Sequence, residues 1–268
     1  SLVALYIGAG WLVQGSSALA LKAKISPLVV GLTIVAFGTS APELVVSLNA
    51  TLSGQGDIAI GNIVGSNIFN IGVILGVSAT ICPLQVKKQL LRIEIPVMLA
   101  ATVLFTILFW NGTLGRTEGL FFLTGIIIYT IFSLFYPRKH GTEGSSQELE
   151  EQPKHWAVDT LAIVGGLVVL VFASRLLVDN AVSIAKELGV SEAVIGLTIV
   201  AAGTSMPELA TSIVAAYKRK TDIAIGNIVG SNLFNILTIA GSCALIHPIE
   251  AKNVNYIDLP VSYTHLTL

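Results

Sequence analysis

Hydrophobic and polar positions along this 268-residue chain form long apolar runs separated by short polar segments. A transmembrane helix needs about 20 apolar residues to cross the ~30 Å hydrocarbon layer. The runs reach that length repeatedly, and a ninth run begins near Asp258. The eight predicted spans are 2–21, 27–53, 58–82, 94–110, 118–136, 157–179, 193–217 and 223–247. The pattern therefore predicts an all-α polytopic membrane protein.

The polar composition adds little to this picture. Hydrophobic residues make up 53% of the chain and charged residues 12%, and the net charge is −1. This balance gives no sign of nucleic-acid binding, and zinc, phosphate-loop and dinucleotide motifs are absent from the sequence. Cys82 and Cys243 are predicted to be free thiols in helices. We expect a protein that is not an enzyme, has no cofactor and has no inferred protein partner.

The chain carries two copies of one pattern, 165 positions apart. Residues 31–48 (GLTIVAFGTSAPELVVSL) match 196–213 (GLTIVAAGTSMPELATSI) at 13 of 18 positions. Residues 57–76 (DIAIGNIVGSNIFNIGVILG) match 222–241 (DIAIGNIVGSNLFNILTIAG) at 16 of 20. The protein is therefore predicted to consist of two related halves.

A polar segment, PRKHGTEGSSQELEEQPKH, separates the copies. It predicts a first repeat at 1–136, a linker at 137–156 and a second repeat at 157–268. Five spans precede the linker, and an odd number makes the second copy enter the membrane from the opposite side. The prediction is an inverted repeat of two five-helix halves, about ten transmembrane helices, an architecture common in secondary transporters.

The second copy stops early by comparison with the first. The sequence IEIPV at 93–97 is echoed by IDLPV at 257–261. The first copy then continues into an apolar run, whereas 262–268 reads SYTHLTL. We expect about the last two helices of the second repeat to be missing or incomplete here, and the tail to be non-native.

Lysine and arginine counts predict the orientation, because positively charged loops stay in the cytoplasm. One side of the predicted topology holds 11 of these residues and the other holds three. The first set is Lys22, Lys24, Lys87, Lys88, Arg92, Arg138, Lys139, Lys154, Lys218, Arg219 and Lys220. The second set is Arg116, Lys186 and Lys252. The N-terminus is therefore predicted to lie outside and the 137–156 linker in the cytoplasm.

Polar residues inside the second span of each half indicate a cation site. Pro42 has no N–H, so the carbonyl of Gly38 loses its helical partner and needs another within lipid. Thr39, Ser40 and Glu43 lie three and four positions apart and share a helix face. Their oxygen atoms are hard ligands of the kind that Ca²⁺ or Na⁺ prefers.

The second copy repeats this set with Thr204, Ser205, Pro207 and Glu208. About a pseudo-two-fold axis the two sets would converge near the membrane midplane. Two glutamates carry a charge of −2, which one Ca²⁺ or two Na⁺ would balance. A single buried glutamate could instead be protonated or paired with Arg175, but two in matching motifs favour a cation site, because a charge at a helix centre costs roughly 2.5–3.5 kcal/mol.

The next span of each half adds a serine and an asparagine four residues apart. These residues are Ser66 and Asn70, and Ser231 and Asn235. We interpret them as lining the site, with helix–helix hydrogen bonding as the alternative. Helix contacts or capping are favoured for the other asparagines, Asn62, Asn67, Asn227 and Asn232.

The duplicated motifs GTSxPE and GNxxGSNxFN resemble the alpha repeats of the cation/Ca²⁺ exchanger superfamily, which contains the Na⁺/Ca²⁺ exchangers and their prokaryotic relatives. The resemblance is close over 31–76 and 196–241 and architectural elsewhere. It implies ten helices in two inverted halves and Na⁺-driven Ca²⁺ movement by alternating access.

The resemblance also implies roles for individual residues. Glu43 and Glu208 would be the central Ca²⁺ ligands, helped by Thr39 and Thr204 partly through backbone carbonyls. The Na⁺ sites would involve Ser40, Ser205, Ser66, Ser231 and the carbonyls of Ala36 and Ala201. Asn70 and Asn235 would line the middle of the site; some relatives have Asp there, so K⁺ use stays open. The short linker has no room for large regulatory domains, which favours a prokaryotic type in the inner (plasma) membrane.

Three other functions fit the sequence less well. A H⁺/Ca²⁺ antiporter is the nearest alternative, because a carboxylate can bind a proton as well as share Na⁺. The duplicated hydroxyl groups favour Na⁺. A passive channel fits a two-fold site in broken helices less well. Residues 54–57 spell GQGD, a pattern associated with intramembrane aspartyl proteases, but the counterpart Asp222 has no such glycines and both aspartates fall near a membrane edge.

Overall fold

The structure, a computed structural model, describes residues 1–135, 156–189 and 201–251. The predicted linker, the start of the predicted span 193–217 and the C-terminal 252–268 lie outside the described residues. The span predicted to begin near Asp258, and the predicted incompleteness of the second repeat, fall in that last segment.

Six helices make up the described first half. They are α1 (Leu2–Lys22), α2 (Pro27–Thr39), α3 (Ala41–Leu52), α4 (Gly56–Ile81), α5 (Leu90–Leu108) and α6 (Arg116–Phe135). Pro27 and Pro42 stand in the first turns of α2 and α3, where a missing N–H leaves no helical bond unmade. Helices α2 and α3 are one broken span, bent by 47°.

Four helices follow in the described second half. They are α7 (Trp156–Glu187), α8 (Ala201–Thr204), α9 (Met206–Tyr217) and α10 (Thr221–Ile246). A short strand β1 (Thr113–Leu114) pairs antiparallel with β2 (Ile249–Glu250), with Thr113 opposite Glu250. This strand pair joins the loop between α5 and α6 to the segment after α10.

Six described helices are long and apolar enough to cross a membrane, or seven if the bent pair α2–α3 is one span. This confirms the all-helical membrane fold predicted from the apolar runs. Two boundaries differ by more than two residues. Helix α5 begins at Leu90, four residues before the predicted start, and α7 runs to Glu187, beyond the predicted end at 179. Residues 90–93 read LLRI, so only Arg92 interrupts the apolar start of α5, whereas half of the residues in 180–187 (NAVSIAKE) are polar.

Helices α4 and α10 each contain a wide π-helical turn at equivalent positions. The turns cover Asn70–Leu75 and Asn235–Ile239, so each begins at one of the asparagines predicted to line the site. Such turns are rare and occur often at functional sites, because they redirect side chains within an otherwise regular helix.

Helix α10 forms the centre of the described bundle. Its residues from Ile223 to Phe234 are all buried, and it packs closely on α2. A Cβ atom on Gly226 would lie 2.6 Å from the carbonyl oxygen of Leu28, and one on Gly230 would lie 2.5 Å from that of Leu32. Glycine at these positions therefore lets the two backbones touch, as small residues do in membrane interfaces.

Two ion pairs join helix ends that the lysine and arginine count predicts to lie on the same side of the membrane. Lys22 at the end of α1 pairs with Asp159 in the first turn of α7, and Lys87 pairs with Asp222 in the first turn of α10. All four ends belong to loops predicted on the linker side of the membrane. The strands β1 and β2 join loops predicted on the other side. The pairing thus supports the relative sidedness of these segments.

Helices α1 and α7 also meet through glycines, which gives a stability prediction. A Cβ on Gly166 would lie 2.7 Å from the carbonyl oxygen of Gly8, whereas a Cβ on Gly165 would meet only the Trp11 ring, at 3.8 Å. Gly166→Ala must separate two backbones and is expected to cost about 1–3 kcal/mol. Gly165→Ala should be neutral or stabilising, because alanine favours helix. The melting temperature of each variant can be measured by heating samples and quantifying the protein that remains monodisperse by size-exclusion chromatography. Equal melting temperatures for Gly166→Ala and Gly165→Ala would contradict the close contact between α1 and α7.

Candidate functional site

Both broken spans have the same local geometry at their breaks. Ser40 and Ser205 stand between the paired helices with backbone angles φ −82°, ψ 8° and φ −85°, ψ 8°. Pro42 and Pro207 follow in the first turns of α3 and α9, where no intrahelical N–H bond is lost. The sequence motif GTSxPE therefore makes an equal break in each half, and it places a serine and a glutamate beside the break.

The serines and glutamates bond across the two halves. The Ser40 hydroxyl donates to Glu208 Oε1 at 2.7 Å, and the Ser205 hydroxyl donates to Glu43 Oε1 at 2.8 Å. Glu43 and Glu208 are 1% and 0% exposed. The two carboxylates are thus brought into one buried centre. Arg175 lies exposed on α7, so the alternative that it pairs with a buried glutamate is wrong.

Asparagines from α4 and α10 form a second crossed set. Asn70 Nδ2 donates to Asn232 Oδ1 at 3.0 Å, and Asn235 Nδ2 donates to Asn67 Oδ1 at 2.9 Å. These bonds use the amide nitrogens of Asn70 and Asn235. The side-chain carbonyl oxygens of Asn70 and Asn235 therefore remain available to bind a ligand.

Two further asparagines tie α4 and α10 to the neighbouring broken helices. Asn62 Nδ2 donates to the Glu43 carbonyl at 3.1 Å and to Ser47 Oγ at 2.9 Å. Asn227 makes the equivalent bonds to the carbonyl of Glu208 and to Ser212. These interhelical bonds are the helix contacts predicted for the asparagines.

Sequence reasoning missed that two other asparagines, Asn67 and Asn232, orient candidate ligands. Asn67 and Asn232 hold the amides of Asn235 and Asn70, so they act on the site as well as on helix packing. The available signal was their identical place in both copies of the motif GNxxGSNxFN. Spacing along one helix could not indicate which partner each side chain has on another helix.

Six buried oxygen atoms of the predicted set have no hydrogen-bond partner among the described residues. They form three symmetric pairs. They are Glu43 and Glu208 Oε2, Asn70 and Asn235 Oδ1, and Ser66 and Ser231 Oγ. Buried polar atoms are almost always bonded, and an unpaired group in a native protein calls for an explanation such as a bound ion. A carboxylate, an amide carbonyl and a hydroxyl are all hard oxygen ligands.

The remaining predicted residues lie in the broken spans, next to the breaks. Thr39 Oγ1 is 3.0 Å from Asn227 Oδ1, and Thr204 Oγ1 is 3.4 Å from Asn62 Oδ1. The Ala36 carbonyl accepts the backbone N–H of Ser40 at 3.0 Å inside the broken span. Ala201 is the first residue of α8, and the structure describes it through its backbone alone.

The arrangement suits a hard cation. In the described part of the chain no three His, Cys, Asp or Glu side chains come together. The candidate ligands are two carboxylates supplemented by neutral oxygens. Such sets bind Ca²⁺ and Na⁺ rather than soft metals. Broken helices that meet at the interface of inverted repeats are typical of secondary transporters. Fold and site together therefore define a membrane cation transporter.

Comparison with known proteins identifies the family. The family model described as "Sodium/calcium exchanger protein" matches residues 1–135 and 158–268. The chain belongs to this sodium/calcium exchanger family. Family membership confirms the predicted resemblance and identifies a transporter rather than an enzyme, so the intramembrane protease alternative is wrong. The family implies no cofactor, because the transported ions are substrates.

Individual relatives agree with this assignment. The Escherichia coli K12 inner membrane protein YrbG is 40% identical over 91% of this chain and 77% of its own length. The sodium/calcium exchanger MaX1 of Methanosarcina acetivorans is 31% identical over 97% and 85%. The Ca²⁺/H⁺ antiporter ChaA of Bacillus subtilis is 29% identical over 82% and 68%.

Solved structures of the sodium–calcium exchanger NCX_Mj have the same fold. The structure soaked with 2.5 mM Na⁺ and 0.1 mM Ca²⁺ matches with a TM-score of 0.85 and 33% identity. The match covers 99% of this chain and 86% of that one. The predicted inverted-repeat exchanger fold is therefore confirmed.

The crossed asparagine bonds yield a binding prediction. Asn232→Ala removes the acceptor that holds the Asn70 amide, and Asn67→Ala does the same for Asn235. Loss of such a supporting residue typically weakens metal binding 10- to 100-fold, and we expect about tenfold weaker Ca²⁺ binding in each variant by isothermal calorimetry. Asn180→Ala is the control, because Asn180 is exposed and donates to its own helix. Wild-type affinity in both site variants would contradict the orienting role.

Proposed function

We propose that this protein exchanges Ca²⁺ for Na⁺ across the membrane by alternating access, with Glu43 and Glu208 as ligands shared by the competing ions. The observation that carries the proposal is the pair of buried carboxylates, each holding one oxygen bonded to a serine of the opposite half and one oxygen unpaired. The names of the relative MaX1 and the solved exchanger NCX_Mj, which specify sodium and calcium, support the choice of ions.

Charge balance accounts for coupled exchange. Two ionised glutamates give the centre a charge of −2, and each uncompensated charge at membrane depth costs roughly 2.5–3.5 kcal/mol. One Ca²⁺ neutralises this charge, and so do two Na⁺. The centre therefore changes its exposure readily only when loaded, and Ca²⁺ and Na⁺ compete for the same oxygens. If Ca²⁺ loads the centre on one side of the membrane and Na⁺ loads it on the other, the two ions are carried in opposite directions.

The neutral oxygens divide between the two ions in this proposal. Ser66 and Ser231 have unpaired hydroxyls, and together with Ser40 and Ser205 they supply the Na⁺ positions. Thr39 and Thr204 assist Ca²⁺ through their carbonyls, with carbonyls of Ala36 and Ala201 on the Na⁺ side. Asn70 and Asn235 are neutral amides, so the centre is less negative than one with an aspartate there, and we infer that K⁺ is not required.

The membrane arrangement follows the sequence prediction. The two repeats at 1–136 and 157–268 flank the linker 137–156, which we place in the cytoplasm with the N-terminus outside. The excess of positive charge on the linker side supports this orientation. The relative YrbG is named an inner membrane protein, which supports a prokaryotic inner membrane as the location.

A H⁺/Ca²⁺ antiporter is the second candidate. The relative ChaA is named a Ca²⁺/H⁺ antiporter, and protonation of Glu43 and Glu208 would neutralise the centre as Na⁺ does. The serine hydroxyls around the carboxylates favour Na⁺, because protonated carboxylates would need no further oxygen ligands.

Reconstitution into proteoliposomes separates these candidates. We expect Ca²⁺ uptake under an outward Na⁺ gradient, at the same rate with or without K⁺, and negligible uptake under a pH gradient alone. Uptake can be followed with a Ca²⁺-sensitive dye inside the vesicles. Uptake driven by the pH gradient and indifferent to Na⁺ would replace Na⁺ by H⁺ as the coupling ion. Vesicles without protein measure leakage.

Removing one carboxylate tests the site itself. Glu43→Gln and Glu208→Gln keep the size of the side chain but halve the charge, so we expect Ca²⁺ transport to fall at least about 100-fold, in line with the loss of a ligand charge worth roughly 3 kcal/mol. Glu187→Gln is the matched control, since Glu187 lies exposed at the end of α7. A wild-type rate of Ca²⁺ transport in either site variant would show that the mutated glutamate is not an essential ligand.

A further inference from the structure

A hydrogen bond near the second break has no equivalent in the first half. Gly203 lies in the last turn of α8, where a backbone carbonyl is free of its own helix and needs a partner from outside it. The hydroxyl of Ser174, on α7, donates to that carbonyl at 2.7 Å, and Ser174 is buried. A shift of 165 positions converts Gly203 into Gly38 and Ser174 into Ala9. The first half therefore has the same freed carbonyl but a methyl group in place of the hydroxyl.

The two breaks also have different surroundings. A Cβ on Gly203 would lie 2.1 Å from Val178 Cγ2, whose counterpart in the first half is Val13. A Cβ on Gly38 would instead meet Leu167, at 2.4 Å. Helix α7 therefore lies against both breaks, and the structure departs from two-fold symmetry at this point. In an inverted repeat, the opposite-facing arrangement exchanges the surroundings of the two halves.

We propose that Ser174 is a positioning residue whose bond to Gly203 favours the arrangement seen here over the opposite-facing one. In the exchanged arrangement Gly38 takes the surroundings that Gly203 has here, and position 9 then faces the freed carbonyl. Ala9 has no hydroxyl, so that arrangement lacks the bond. The inference rests on the proposed function, because only a protein that alternates between two arrangements can be biased in this way.

The bias has a predictable size and sign. A hydrogen bond between membrane helices changes an equilibrium about threefold on average. Ser174→Ala removes the bond from the present arrangement. Ala9→Ser supplies the equivalent bond to the exchanged one. Both substitutions therefore shift the equilibrium in the same direction, about threefold each, although they lie in opposite halves of the protein. Ser174→Thr keeps the hydroxyl and should behave like the wild type.

Hydrogen–deuterium exchange of the purified protein in lipid nanodiscs tests this without any transport. The peptides to compare cover residues 36–44 and 201–209. We expect Ser174→Ala and Ala9→Ser to change the protection of both peptides in one common pattern, with Ser174→Thr unchanged. Changes confined to 201–209 in Ser174→Ala and to 36–44 in Ala9→Ser, or no change at all, would overturn the proposal. If Ala9→Ser fails to fold in its buried position, Ser174→Ala against Ser174→Thr decides between these outcomes.

A transport readout separates failure of this inference from failure of the proposed function. With Ca²⁺ exchange measured in vesicles of each orientation, Ser174→Ala should raise the half-saturating Ca²⁺ concentration on one face and lower it on the other, because affinity follows the population of each arrangement. A similar loss on both faces would indicate only structural damage. An absence of Ca²⁺ exchange in the wild type would refute the proposed function, whereas the hydrogen-exchange result would stand on its own.

Discussion

Two carboxylates buried in the apolar centre of a membrane protein are the constraint on which the rest of this structure depends. Burying a carboxylate there costs free energy unless its oxygens are hydrogen-bonded and its charge is balanced. Protein groups meet the first requirement in part, since each glutamate receives one serine hydroxyl. They do not meet the second in the described residues, where no cationic side chain bonds either glutamate. In the proposed function, the transported cation balances this charge.

Much of the local structure follows from presenting those carboxylates. The breaks at Ser40 and Ser205 place Glu43 and Glu208 in the first turns of α3 and α9, and the π-helical turns begin at Asn70 and Asn235. Glycine contacts between α2 and α10 then bring the backbones close enough for short side chains to reach across. Longer side chains would fill this space and hold the oxygens apart, so small residues are as necessary to the site as the ligands are.

The bonds that build the centre run between the halves rather than within them. Each serine–glutamate bond and each asparagine–asparagine bond joins one residue of the first repeat to one residue of the second. Neither half could form the centre alone, which gives the duplication a physical purpose. A structure held by crossed bonds can also exchange the roles of its halves, because the same partners exist on both sides. One exception lies beside the site, where Ser174 of the second half is replaced by Ala9 at the equivalent position of the first half.

The sequence by itself determined the class of this protein. Apolar length, the two copies and glutamates within apolar runs follow from local chemistry and from simple counting, and they led to the fold, the family and the candidate ligands. Tertiary structure alone decided which serine bonds to which glutamate, that Asn67 and Asn232 accept hydrogen bonds from the amides of Asn235 and Asn70, and that Ser174 bonds to Gly203. Periodicity shows which side chains share a helix face, but not how two helices are placed and rotated against each other. That placement comes from the packing of the whole bundle.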